Sequence, residues 1–154
     1  MIQASASTYF QLTVFAAVFA TLYAAHHVGD HWVQTHRQAC CKADRTPQGQ
    51  LACLAHVVSL TLTKMAALAL LWLATGLDLH TPIVGVALLV DAVSHYWADR
   101  RWTLRDLADR AGKGDFYRLG LAEAAPTGTG AYALDQSWHI GWLFITALII
   151  AWGA

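Results

Sequence analysis

Three pairs of side chains in this sequence are spaced to do chemistry together. His26 and Asp30, His95 and Asp99, and Asp135 and His139 each stand four residues apart, which on a helix puts both members on one face, one turn from each other. His56 stands apart from any such pair and adds a seventh group. Neutral imidazole nitrogen and ionised carboxylate oxygen are the ligands that suit a divalent metal: zinc first, with iron or manganese as alternatives. Three aspartates and four histidines exceed the needs of one tetrahedral ion. The set therefore fits two ions, or one ion with further carboxylates orienting the imidazoles. Of Asp30, Asp99 and Asp135, whichever is left unligated is the candidate general base. Gln34 and Gln136, each close to a pair, are candidates for positioning a bound group.

These residues need elements to carry them, and the composition says which. Of 154 residues 56% are hydrophobic and only 13% charged, a balance foreign to soluble domains. A helix crosses the roughly 30 Å bilayer core with about 20 apolar residues. Four stretches meet that length, at about 9–34, 51–75, 82–99 and 131–152. The expected fold is all-α: a single integral-membrane domain over 1–154, built as a four-transmembrane-helix bundle. No basic residue precedes the first stretch, so it reads as a retained span rather than a cleaved signal. The three cysteines, two of them adjacent, suit reduced thiols better than a disulfide framework.

Charge orients the bundle. Lys and Arg occur at 37, 42, 45, 64, 100, 101, 105, 110, 113 and 118, so nine of the ten fall in the connections 37–50 and 100–130. By the positive-inside rule these loops face the cytoplasm of an inner (plasma) membrane and both termini lie outside. Every strongly polar cluster then falls at a cytoplasmic helix end. Within 100–130, Thr103 and Asp106 have capping-box spacing, and Leu104, Leu107, Ala108 and Ala111 share a face. This predicts a short amphipathic helix on the inner surface, followed by a glycine-rich flap. Ionisable groups deep in a bilayer cost about 2.5–3.5 kcal/mol each, so they persist where they pair, line a cavity or hold a cation. Lys64, near mid-membrane, is expected to pair with Asp91. His27, His31, His36 and His80 read as packing or surface residues.

The segments AHHVGDHWVQT, AHVVSLTLT, SHYWADRRW and LDQSWHIGWL resemble an uncharacterised family of small bacterial and phage membrane proteins. That family, a domain of unknown function, has the motifs H-x3-D-x3-Q, H, H-x3-D and D-Q-x2-H on successive helices. It is distantly similar to inner-membrane metal-dependent hydrolases, a LexA-binding type among them. The resemblance covers all four spans and points to His26, Asp30, Gln34, His56, His95, Asp99, Asp135, Gln136 and His139. The chain departs from the pattern in His27, His31, Asp91 and the Arg-rich continuation after Asp99.

Two classes of function follow as expectations. One is a metal-dependent hydrolase taking a phosphoester or acyl substrate from the cytoplasmic side, with Arg100, Arg101 and Arg105 offering charge to an anionic group at the inner leaflet. The other is a non-catalytic metal-binding module, a scaffold, sensor or transport accessory, as a homo-oligomer or serving a partner. A polar network gluing the helices is the simplest alternative. Haem ranks last, because each histidine pair has a carboxylate one turn away that would abut an apolar macrocycle. Membrane lipids are the expected surroundings, and the interleaved acids in the basic loop argue against nucleic acid.

Overall fold

A computed structural model describes residues 5–120 and 129–154. Among them every regular element is helical: α1 (Ala6–Val28, prolonged by a π-helical turn, Gly29–Val33), α2 (His36–Cys41), α3 (Pro47–Thr75), α4 (Thr81–Asp99), α5 (Trp102–Arg110), α6 (Gly114–Tyr117) and α7 (Gly130–Trp152). Four of these, 6–33, α3, α4 and α7, are long and apolar enough to cross a membrane. The expected spans were within a few residues of the observed ones. The main difference is at the start of α3, where Thr46 accepts from Gly49 N–H and Pro47 opens the first turn, a pairing that starts helices well. At its other end Gly76, at φ 69°, caps the helix by donating to Trp72 O, and the left-handed backbone is why a glycine stands there.

Helix α1 packs on α3 and α7, and α4 packs on the same two, so the four spans form a ring with α1 and α4 diagonally opposed. Each sends one stripe, repeating about every fourth residue, to the centre. On α1 the stripe is Val14, Val18, Leu22 and His26; on α7 it is Ala151, Ala147, Leu143 and His139. On α3 it runs Leu68, Lys64, Leu60, His56, and on α4 it runs Leu88, Asp91, His95, Asp99. All four stripes are apolar at one end and polar at the other, and the alternating helix directions bring the polar ends together. In lipid such a core is held by close packing and hydrogen bonds, because leaving one apolar medium for another gains little. Helices α1 and α3 come close at Gly29, where an added Cβ would run into Leu60.

The connections cover the polar end. Arg100, buried after α4, donates to Lys42 O at 2.8 Å and to Asp44 O at 2.5 Å, tying the α2–α3 link to α4. Thr35 and Gln38 form a reciprocal capping box on α2. The box expected at Thr103 and Asp106 is absent: α5 begins one residue earlier, Thr103 donates its hydroxyl to Trp97 O, and Asp106 pairs with Arg105. Part of the expected flap is instead the short α6, its corner closed by Arg118 to Asp109 at 2.7 and 2.9 Å. The remainder of the flap lies outside the described residues.

Candidate functional site

The polar ends of the stripes meet. His56 on α3 places Nε2 at 3.0 Å from Asp30 Oδ1, 3.2 Å from Asp99 Oδ2 and 3.1 Å from His95 Nε2. His95 Nε2 lies 3.2 Å from Asp99 Oδ2 and 3.7 Å from Asp30 Oδ1. Across the ring, His139 Nε2 is 3.4 Å from Asp135 Oδ1 and 3.8 Å from Asp99 Oδ1, and its imidazole stacks on that of His95. Helices α1, α3, α4 and α7 thus all contribute to one cluster, and Asp99 within it is 1% exposed.

Of these contacts, His56 Nε2 to His95 Nε2 is a hydrogen bond, and the carboxylate oxygens beside them are not so satisfied. Among the described residues Asp30 Oδ1, Asp99 Oδ2 and His139 Nε2 are buried without a hydrogen-bond partner. Buried oxygens and nitrogens left this way are expensive. Donor atoms around a single tetrahedral ion at 2.0–2.2 Å would stand about 3.3–3.6 Å apart. The observed separations of 3.0–3.7 Å among Asp30, His56, His95 and Asp99 bracket that range. Among the described residues two triads have the closeness to hold a metal ion: Asp30, His56 and His95, and His95, Asp99 and His139. They share His95, and one imidazole nitrogen binds one ion, so the two triads complete a site for one ion and a second ion would need donors beyond them. Among the described residues the outer nitrogens, Nδ1 of His56 and of His95, have no hydrogen-bond partner.

The other expected residues fall around this centre. His26, fully buried, places Nε2 at 3.5 Å from Asp30 Oδ2 and its ring beside that of His139, and stands outside both triads. Asp135 is the more open carboxylate, 24% exposed at its side chain, and accepts from Gln136 Nε2 at 3.3 Å. Asp135, Gln34 and Gln136 line a cavity of about 460 Å³ together with Asp30 and Asp99. His31 lines it as well, its Nε2 at 3.4 Å from the Tyr132 hydroxyl. His27 stacks on His31 outside the cluster, and His36 and His80 are remote from it. Lys64 and Asp91 form the expected ion pair, at 2.5 Å and buried, below the cluster.

One residue was missed and the arginines are reassigned. Lys42, nearly buried, places Nζ at 2.8 Å from Asp99 Oδ1 and lines the cavity. It sits in an irregular link, where no helical spacing could point to it. Of the three arginines expected at the rim only Arg101 lines the cavity. Arg100 is committed to backbone carbonyls and Arg105 to Asp106. Arg101 has φ 56°, a backbone region rare for side-chain-bearing residues, and donates to Ala39 O while its own carbonyl accepts from Tyr117. Burial holds the Tyr117 phenol above its ordinary pKa, and its one O–H is given to Arg101 O.

The family model described as "Protein of unknown function (DUF3307)" matches residues 18–153. No curated protein and no solved structure matches the chain. The family match runs from within α1 to the end of α7 and takes in every residue of the cluster, so the chain belongs to the DUF3307 family.

Proposed function

We propose that this chain is a metal-dependent hydrolase of the plasma membrane that takes a phosphoester or acyl substrate from the cytoplasmic side. The observation that carries the reading is the convergence of buried carboxylate oxygens and imidazole nitrogens from four helices, Asp30 Oδ1, Asp99 Oδ2 and His139 Nε2 among them without a hydrogen-bond partner in the described residues, beside a polar cavity that Asp30 and Asp99 line. His56, His95 and Asp99, with Asp30 and His139, are the residues to hold zinc, or iron or manganese in its place. When bound, such an ion lowers the pKa of water toward neutrality and draws charge from a phosphoryl or acyl oxygen. Asp135, open to the cavity and outside both triads, is placed to accept the proton of the attacking water. With a phosphoester, the water oxygen bonds to phosphorus and the ester P–O bond breaks. The leaving oxygen keeps its electron pair and takes up the proton, giving phosphate and alcohol. Lys42 and Arg101 supply positive charge for an anionic group.

The orientation rests on charge: the cavity opens on the side that carries nine of the ten Lys and Arg, which the positive-inside rule assigns to the cytoplasm. Elemental analysis of the detergent-purified protein, beside His95→Ala and Asp135→Ala, tests the whole reading. Metal in the wild type and its loss in His95→Ala are expected, with Asp135→Ala retaining metal. A phosphoesterase and esterase panel with and without chelator follows. Metal without turnover would make the chain a non-catalytic metal-binding module, and a metal-free wild type would end both readings.

A further inference from the structure

The polar cavity has an apolar neighbour. Helix α5 packs on α4 and leaves a cleft toward α7. A depression of about 370 Å³ occupies that cleft, floored by Leu107 and Ala108 of α5 and by Trp138, Gly141 and Trp142 of α7. Leu104 is a wall of both spaces, with the His/Asp cavity on one side and the apolar depression on the other. Beyond Trp138 and Trp142 a second apolar hollow, of about 430 Å³, continues between α4 and α7 past Trp97 and Val93 to Leu89. The furrow therefore starts beside the charged cavity and runs along the outer flank of two membrane-crossing helices. Lys113 stands at its upper end.

A purely apolar occupant would gain nothing from ending beside Arg101 and Lys113, cations that stand apart from the Lys42–Asp99 pair, and a soluble anion would gain nothing from the furrow. An amphiphile uses both. We propose that the α5–α7 furrow seats one acyl chain of a phosphate-bearing membrane lipid whose head lies in the polar cavity, with Leu104 at the joint between them. The proposal rests on the hydrolase reading for what happens to the head, and on the furrow alone for where the chain lies. Small residues make the space. A Cβ added at Gly141 meets no atom within 4 Å, so a larger side chain there would fill the furrow rather than disturb the helices.

The test uses the full chain in phosphatidylcholine vesicles containing phosphatidic acid with a photoreactive diazirine in its acyl chain, followed by peptide mapping. Crosslinks concentrated on Leu104–Ala111 and Trp138–Ile145, about fivefold above the other lipid-facing surfaces, are expected. Gly141→Leu should remove that excess while the melting temperature and elution volume stay those of the wild type. A diazirine diacylglycerol, which lacks the phosphate, should label the furrow severalfold less. Even labelling of all four spans, or Gly141→Leu labelling equal to wild type, overturns the proposal, as does a furrow occupied by a crosslinked second copy. Furrow labelling that persists in a chain without hydrolytic activity upholds the lipid seat and removes only the hydrolase reading.

Discussion

Lys64 is 0% exposed and its ammonium has a single carboxylate partner, Asp91. Leaving one member of such a pair alone in a buried site costs about 3–5 kcal/mol. Lys64→Ala should therefore lower the unfolding midpoint in detergent sharply, and Lys64→Ala with Asp91→Ala should recover a large part of the loss; purely additive effects would show that the two do not act as a pair. At the cluster, His56→Ala and Asp99→Ala are expected to reduce bound metal to near background by elemental analysis, while His27→Ala leaves it unchanged. Lys42→Met separates charge from ligation. Metal content should hold, and turnover of an anionic substrate should fall by about tenfold or more, the scale of removing one charged contact in a dry site.

At the level of elements, the π-helical turn Gly29–Val33 adjusts where the end of α1 aims its side chains. Its extra residue per turn is closed by Gln34 N–H donating to Gly29 O at 2.9 Å, and turns of this kind recur at functional sites. Gly29 lets α1 lie against Leu60, so Gly29→Ala should push α1 away and carry Asp30 out of reach of His56. Weaker metal retention with all four helices intact by circular dichroism is the expected result. The α5–α6 corner offers a pH-dependent counterpart. The Arg118 hydrogen bonds hold Asp109 below the usual carboxylate range. Its link is fully present above the ordinary aspartate value of about 3.9 and fades as pH falls through the lower value it has in the fold. Hydrogen exchange over 110–120 should rise only under those acidic conditions. The helices were legible in the sequence because twenty-residue apolar runs are a strong signal, and the i, i+4 pairs survived because helix geometry alone makes them. The start of α5 was not legible: Thr103 satisfies Trp97 O across a turn, a tertiary choice that a capping pattern does not contain. Lys42 escaped for the same reason, since Arg100, 58 residues away in sequence, is what sets its position.

For the molecule as a whole, a bound ion would join four helices at one end, so metal and stability are linked. A ligand present at a hundred times its dissociation constant adds about 2.7 kcal/mol to folding. Chelated protein should melt at a clearly lower temperature, and stoichiometric zinc should restore it; no shift would mean that the unpartnered carboxylates are satisfied some other way. Topology has its own check: in intact cells a membrane-impermeant maleimide should leave Cys40 and Cys41, in the basic link after α1, unmodified, and should label Asp78→Cys in the α3–α4 turn. Labelling reversed between these sites would invert the orientation. The opposite end of the bundle carries one last consequence. Val14, Val18, Leu22, Leu143, Ala147 and Ile150 are buried together in the apolar core that continues from the cluster toward that end. A polar solute moving from the chamber toward that end would have to shed its water against this apolar packing, so its low-cost way out is the mouth by which it came.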